Sequence, residues 1–243
     1  MEGPKLIEDA LRAGLEADAL LVSESGERAA QRILLAASAT EHGISPSRIL
    51  RTTDKLFATA AGTESPQGVA ALFRQPAADF DAILGNGVPT LVLVLAGVQD
   101  PGNVGTAVRS AEAFGATGVI AARGTADPWS PKAVRASAGS ALRLPTLRGI
   151  TIATLLAQLR ASKVAIVAAA SQENRADLEP VNFLGPAAIF IGSEGSGLPA
   201  EIIKTADATI AISMTVHVES LNAGVAASIL LYEAARQREA ART

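Results

Sequence analysis

Leu91-Val92-Leu93-Val94-Leu95-Ala96-Gly97-Val98-Gln99-Asp100-Pro101-Gly102-Asn103-Val104-Gly105-Thr106-Ala107-Val108-Arg109 is the stretch that decides the fold. Its first five residues form an unbroken apolar run, the pattern of a parallel strand covered on both faces. A glycine-containing loop follows, then a helix that reaches Phe114 and stops at Gly115. Strand, glycine loop and helix in that order put a ligand site at the carboxyl end of the strand. A dinucleotide fingerprint is the obvious rival, but glycines at 97, 102 and 105 lack its close-set first pair. Nor does a carboxylate end the next strand to hold a ribose, because Ala121-Ala122-Arg123 stands there. Read alone, the segment is also compatible with a tight turn that carries a surface arginine.

Working outward toward the C-terminus, strands are predicted over 118–121, 164–168, 187–191 and 208–212. Helices are predicted over 132–138, 152–161 and 199–206, with a last helix from about 221 to 239 and Ser220 as its N-cap. Toward the N-terminus, residues 74–89 read as a linker, with Pro76, Gly85-Asn86-Gly87 and Pro89. Before it come a helix over 4–12, a strand over 19–22 and a helix over 28–41 stopped by Gly43. A short strand at Ile49-Leu50, a short helix over 54–60 and a strand over 69–73 complete the segment. The expectation is two α/β domains, residues 1–75 and 90–243, joined by 76–89.

Composition narrows the chemistry. Of 243 residues 49% are apolar, yet no run approaches the ~18 needed to span a membrane. Met1-Glu2-Gly3-Pro4-Lys5 does not open a secretory signal, so a cytoplasmic location is expected. The absence of cysteine excludes disulfides, thiolate metal sites and cysteine nucleophiles. His42 and His217 alone cannot build a histidine-rich centre, so no metal is expected. A net charge of −3 argues against a generic nucleic-acid coat. Locally the balance differs: Arg123, Lys132, Arg135, Arg143 and Arg148 face one acid, Asp127, within residues 123–148. Such a stripe suits one positioned RNA contact, or merely a solvated helix face.

Two further segments carry chemistry. Ile189-Phe190-Ile191-Gly192-Ser193-Glu194-Gly195-Ser196-Gly197-Leu198-Pro199 runs an apolar strand into a loop with one carboxylate among small residues, which let a backbone approach a ligand closely. Alone it reads equally well as an exposed turn. Ser220-Leu221-Asn222-Ala223-Gly224-Val225-Ala226-Ala227 sets two polar side chains before a smooth helical turn, where free N–H groups also point outward. Simple capping would explain it too.

Together and in this order, the three segments resemble the signature motifs of the SpoU/TrmH family of RNA 2′-O-ribose methyltransferases, within the SPOUT superfamily. Asp-Pro-x-Asn-x-Gly-x-x-x-Arg is matched at residues 100–109, Gly-Ser-Glu-Gly-x-Gly-Leu at 192–198, and Glu-Ser-Leu-Asn with its alanine-rich helix at 219–227. Residues 130–139, Ser-Pro-Lys-Ala-Val-Arg-Ala-Ser-Ala-Gly, are similar to the family's connecting stretch. Glu2-Gly3 and Pro66-Gln67-Gly68-Val69 resemble pieces of the ribosomal-protein-like substrate-binding domain often fused ahead of it. Three departures stand out. Family members usually have a further helical stretch before the Glu-Gly pair. Ser213 replaces the usual proline, which gives the preceding residue more backbone freedom and implies a looser cofactor loop. Thr215-Val216-His217-Val218 lacks the glycine common near position 216.

The resemblance implies an α/β fold whose C-terminal methyltransferase domain is a trefoil knot, a rare exception to the rule against threaded chains. It implies S-adenosylmethionine as cofactor, RNA as substrate and a homodimer whose partner subunit completes the site. Carried over by motif position, Asn103, Arg109, Glu194, Ser220 and Asn222 form the catalytic set. Backbone groups at Gly192, Ile212, Met214 and Leu221 cradle the cofactor, with Ala170 nearby. Arg109 is expected to fix a phosphate and stabilise the developing alkoxide, since a guanidinium does not surrender its proton readily. With few aromatics, RNA recognition is expected to rest on shape and phosphate contacts, Trp129 being the best stacking candidate. Ribosomal RNA is preferred over transfer RNA. A nicotinamide-dependent oxidoreductase and a non-catalytic RNA-binding protein are the rival readings.

Overall fold

The structure is a computed structural model and describes residues 1–38, 44–85, 87–170, 181–214 and 220–242. His42, His217, Asn86, the 215–218 departure, Glu219 of the third motif and the expected helix end at 41–43 therefore lie outside the described residues. The chain divides into two compact units, Met1–Ala77 and Ala78–Thr243.

In the second unit the 91–95 run becomes β4 (Leu91–Ala96), every residue of which is buried. The cause is cover on both sides. Leu91, Leu93 and Leu95 face a core shared with α5 (Pro101–Ala113) and α9 (Ala223–Ala240), through residues such as Val108 and Leu231. Val92, Val94 and Ala96 face the other way, onto α4 (Phe80–Leu84), α7 (Ile152–Ala161) and α8 (Ala200–Thr205). β5 (Gly118–Ala122), β6 (Thr146–Ile150), β7 (Ala165–Ala169), β8 (Ala187–Gly192) and β9 (Ala208–Ile210) complete a six-stranded sheet in the order β6-β5-β4-β8-β7-β9. All its pairings are parallel. The chain leaves β4 toward β5 on one side and returns much later as β8 on the other. The strand order thus reverses between β4 and β8, and the crevice at their carboxyl ends is where such sheets bind ligands.

α5 is clasped closely by its neighbours. A Cβ on Gly105 would lie 2.3 Å from the Ala133 carbonyl oxygen of α6 (Pro131–Ala136), so only glycine permits that approach. On another face of α5, the Ser110 and Ser228 hydroxyls meet at 2.6 Å and Gly224 seats the first turn of α9 against Asn103 and Thr106.

The first unit has α1 (Pro4–Arg12), β1 (Ala17–Ser23), α2 (Glu27–Ser38), β2 (Ile49–Thr52), α3 (Asp54–Ala60) and β3 (Val69–Phe73). β1 lies centrally, parallel to β2 and antiparallel to β3. Ile7, Leu11, Leu20, Ile33 and Val69 form its core. The other face of this sheet leaves Leu50 and Leu72 exposed.

Four sequence expectations need correction. The stretch read as linker contains α4, whose Ile83 is fully buried. β6 was not expected: it is an edge strand, and exposed Arg148 and Gly149 interrupt its pattern. β9 ends at Ile210, not 212, where its pairing with β7 stops at Ala169. The last helix is capped by Asn222 rather than Ser220.

Candidate functional site

Three loops converge at the reversal of strand order. After β4, Asp100 caps α5 by accepting from the Asn103 N–H at 3.1 Å, with Pro101 in the first turn. Lys132 donates to the same carboxylate at 2.5 Å and holds it below its ordinary value of 3.8. The cap fixes Asn103 on the first turn of the helix.

After β8 the chain doubles back. The Ser193 N–H donates to Gly197 O at 3.2 Å, and the Gly197 N–H returns to Ser193 O at 3.0 Å. Any side chain at Gly192 would collide with this return, since a Cβ would sit 2.2 Å from the Gly197 carbonyl carbon. The turn presents Glu194 near its tip.

The third loop ends at Asn222, whose Oδ1 accepts from the Gly224 and Val225 N–H groups at 2.9 and 3.2 Å. That capping bond sets the orientation of the amide. With its oxygen turned to the helix, the Asn222 Nδ2 donates to Asn103 Oδ1 at 2.7 Å. The Asn103 Nδ2 must then face Glu194, and it donates to Glu194 Oε1, which also accepts from the Ala223 N–H at 3.2 Å. A carboxylate that only accepts, two amides that do both and a helix end that only donates close the chain in one sense. Loops separated by as many as 119 positions are thereby tied together.

Beside this network lies a cleft of about 420 Å³. Ala170, Gly192, Ile212, Met214 and Leu221 all line it, together with Glu194 and Ser220. Small residues (Ala169, Ala223 and Ala226 among them) leave it open, while Ile191, Ile210 and Leu230 give it apolar walls. β7 and β9 end at its edge, where the Ala170 N–H still donates to Ile210 O at 2.8 Å and the pairing of the two strands stops. An apolar slot rimmed by main-chain donors and acceptors fits a flat heterocycle, and the Glu194 carboxylate at one end suits a cationic or hydroxylated group. Sequence reading missed Ser193, Ser196 and the Ala223 N–H; strand β8 running straight into the loop was the signal for the first two.

The remaining expectations fall elsewhere. Arg109 is exposed on α5 and does not line the cleft. Six residues beyond Asn103, it lies about 240° further round the helix axis. The basic stripe is thinner than its sequence suggests, because two acids from outside it and its own Asp127 take up three of its cations. Asp100 takes Lys132, Glu112 takes Arg143 in a two-bond fork, and Asp127 takes Arg148. Among the described residues of the stripe, Arg123 and Arg135 are exposed and form no ion pair. Trp129 is half-buried with its Nε1 buried and unpartnered, so the polar edge of the indole turns inward. Among the described residues no group of three or more His, Cys, Asp or Glu could hold a metal ion, and no helix is long and apolar enough to cross a membrane.

The profile of the SpoU rRNA Methylase family matches residues 90–232. The chain belongs to that family. It is a methyltransferase whose methyl donor is S-adenosylmethionine. Residues 1–71 match the MRM3-like substrate binding domain. The 23S rRNA (guanosine(2553)-2′-O)-methyltransferase RlmP of Bacillus subtilis is 31% identical over 233 residues, which is 96% of this chain and 86% of that protein. The 23S rRNA (guanosine-2′-O-)-methyltransferase RlmB of Ralstonia nicotianae is 34% identical over 195 residues, 79% of this chain and 78% of the other. Among solved structures, the SpoU methyltransferase AviRb of Streptomyces viridochromogenes in complex with AdoMet superposes with a TM-score of 0.84 at 28% identity, covering 98% of this chain and 89% of that one.

Proposed function

We propose that this chain methylates a ribose 2′-hydroxyl of ribosomal RNA, acting as a knotted homodimer in the cytoplasm. The observation that carries the reading is the closed Asn103–Glu194–Asn222 network beside the cleft. It joins the three motif loops, which supports reading their residues as parts of one site. The names of RlmP and RlmB support the ribosomal substrate.

Main-chain groups at Gly192, Ile212, Met214 and Leu221 would hold the cofactor, with Ala170 at its side. When bound, S-adenosylmethionine supplies an electrophilic methyl group on a positively charged sulfur. The protein's task is the nucleophile, a hydroxyl scarcely ionised at neutral pH. Holding it in line can contribute about 7–11 kcal/mol in favourable cases. Asn103 and Glu194 orient the edge of the cleft, and Ser220 adds a hydroxyl to its wall. Arg109 fixes a phosphate and stabilises charge on the 2′-oxygen as its proton leaves to solvent.

Because Arg109 does not line the cleft of its own chain, we assign it to the cleft of the partner subunit. Val225, Ile229 and Tyr232 support a dimer, since they repeat at helical spacing along one face of α9 and are all exposed. A knot is supported by the third loop being bound to both earlier loops. The first unit is assigned to RNA binding from its match to a substrate-binding domain.

The test is transfer of tritiated methyl to 23S rRNA transcripts, followed by alkaline hydrolysis. A labelled, alkali-resistant dinucleotide is expected. Label only on a base, only in transfer RNA, or nowhere would overturn the reading. An Arg109→Ala chain mixed with a Glu194→Gln chain should regain up to about a quarter of the activity, because mixed dimers contain one intact composite site.

A further inference from the structure

The turn at 193–197 has two sides. One borders the cofactor cleft; the other borders a second cleft of about 580 Å³, lined by Gly97, Gln99, Arg123, Ile152 and Leu198 among others. Ser193, Ser196 and Gly197 line both. The second cleft opens over the carboxyl ends of β4 and β5, so it occupies the other half of the crevice where the strand order reverses.

Its chemistry is that of a nucleotide pocket without a cofactor role. Leu198 is buried and, with Ile152, offers an apolar surface on which a base can lie. Arg123 follows β5 directly, is exposed and forms no ion pair among the described residues. Its main chain is fixed, since its N–H donates to Ile150 O at 2.8 Å. Gln99 is also held: its Nε2 donates to Gly124 O and, at 3.3 Å, to Gly97 O. That leaves the Gln99 Oε1 as an acceptor beside the cation. Three of the other four cations of the stripe are tied to carboxylates, as described above, and of the two left over Arg123, not Arg135, lines a cavity.

We propose that this second cleft binds a nucleotide flanking the methylated one, with Arg123 on its phosphate, Gln99 Oε1 on a base or ribose donor, and the base against Leu198 and Ile152. The proposal rests on the RNA methyltransferase reading, and it makes the shared turn the divider between donor and substrate strand. A strand that enters one side of the turn would place the neighbouring ribose at Glu194 on the other.

The experiment uses the full-length protein and 23S rRNA transcripts, with Arg123→Ala, Arg123→Lys and Ile152→Glu variants. For Arg123→Ala, RNA affinity should fall about tenfold, with the loss in KM exceeding that in kcat. The slope of log affinity against log salt should lose about one unit, and Arg123→Lys should restore it. Ile152→Glu should weaken RNA binding through the cleft itself. S-adenosylmethionine affinity should be the same in all four proteins. Unchanged RNA affinity and salt slope in Arg123→Ala would overturn the proposal, as would equal losses of RNA and cofactor binding. Binding and salt slope are read without turnover, so an inactive but RNA-binding wild type would sink the methyltransferase reading and leave this measurement decisive on its own.

Discussion

α9 is secured by polar groups at both ends, and the two ends are secured in opposite ways. At its start, side chains from three distant loops bind one another, and the carboxylate of that network lines a cleft. Toward its end, Arg238 donates to four main-chain carbonyls, those of Phe183, Pro89, Thr90 and Gly185, at 2.7–2.9 Å. Among the described residues no acid shares that contact, and burial pushes the guanidinium below the usual arginine value. The first arrangement spends its side chains on geometry around an opening. The second uses one side chain to pin loops that precede β4 and β8. The contrast teaches that density of hydrogen bonds does not mark a site; exposure to a cavity and dependence on several loops do.

Asn222→Ala should separate the ends most sharply. Removing one amide breaks the link to Asn103, whose amide then no longer has a fixed orientation toward Glu194, and misplacement on that scale costs about a hundredfold in turnover. The lost helix cap adds about 1 kcal/mol of instability. Methyl transfer under saturating cofactor, set beside a denaturant melt, measures both. A variant within a few-fold of wild-type turnover would show that the network is only a cap.

Arg238→Met is the reverse case. Carbonyls left with poorer partners should lower stability by roughly 2–3 kcal/mol, while turnover of the folded enzyme at moderate temperature stays near wild type. The midpoint of denaturation and the rate per folded molecule decide it. A stable but inactive variant would mean that the clasp reaches the site and that the two ends are not independent.

The same contrast explains what could be read before folding. β4 was legible because both of its faces are covered, which leaves an unbroken apolar run; α3, β3 and α7 were legible from their periodicity and flanking caps. Motif order brought out Asn103, Glu194 and Asn222 as members of one set, but not how they bind. Choosing Ser220 as the cap was reasonable from residue type; Asn222 is the cap because α9 starts at Ala223, and its amide accepts from the first turn while donating to Asn103. Ser220 instead lines the cleft. Motif order grouped Arg109 with these residues as well; the structure sets it on another face of α5, off the cleft, as a helical phase of 100° per residue requires. The pairing of Lys132 and Arg143 could not be seen, because Asp100 and Glu112 lie outside the stripe in sequence and meet it only in the fold. Arg238 gave no signal at all: its partners are carbonyls, which every residue has.

The smallest effect sharpens the comparison at its functional end. Asp100 caps the helix on which Asn103 stands, and Lys132 and the Asn103 N–H hold its carboxyl below 3.8. The folded state therefore binds this proton less readily than the unfolded chain, whose Asp titrates near 3.9. Its contribution to stability is complete above that unfolded value and is lost as pH falls through the lower, folded one. The group is exposed, so the gain is modest and weakens with salt. Asp100→Asn keeps a capping oxygen but cannot ionise. Between about pH 5 and pH 2, the stability of wild type should fall more steeply than that of the variant, and their curves should converge at the acid end. At neutral pH the variant should keep most of its turnover if the cap alone positions Asn103. Parallel curves would mean that Lys132 and the cap contribute nothing to the folded state. A collapse of turnover at pH 7 would mean that the Asp100–Lys132 pair, and not just the cap, holds the first loop in place.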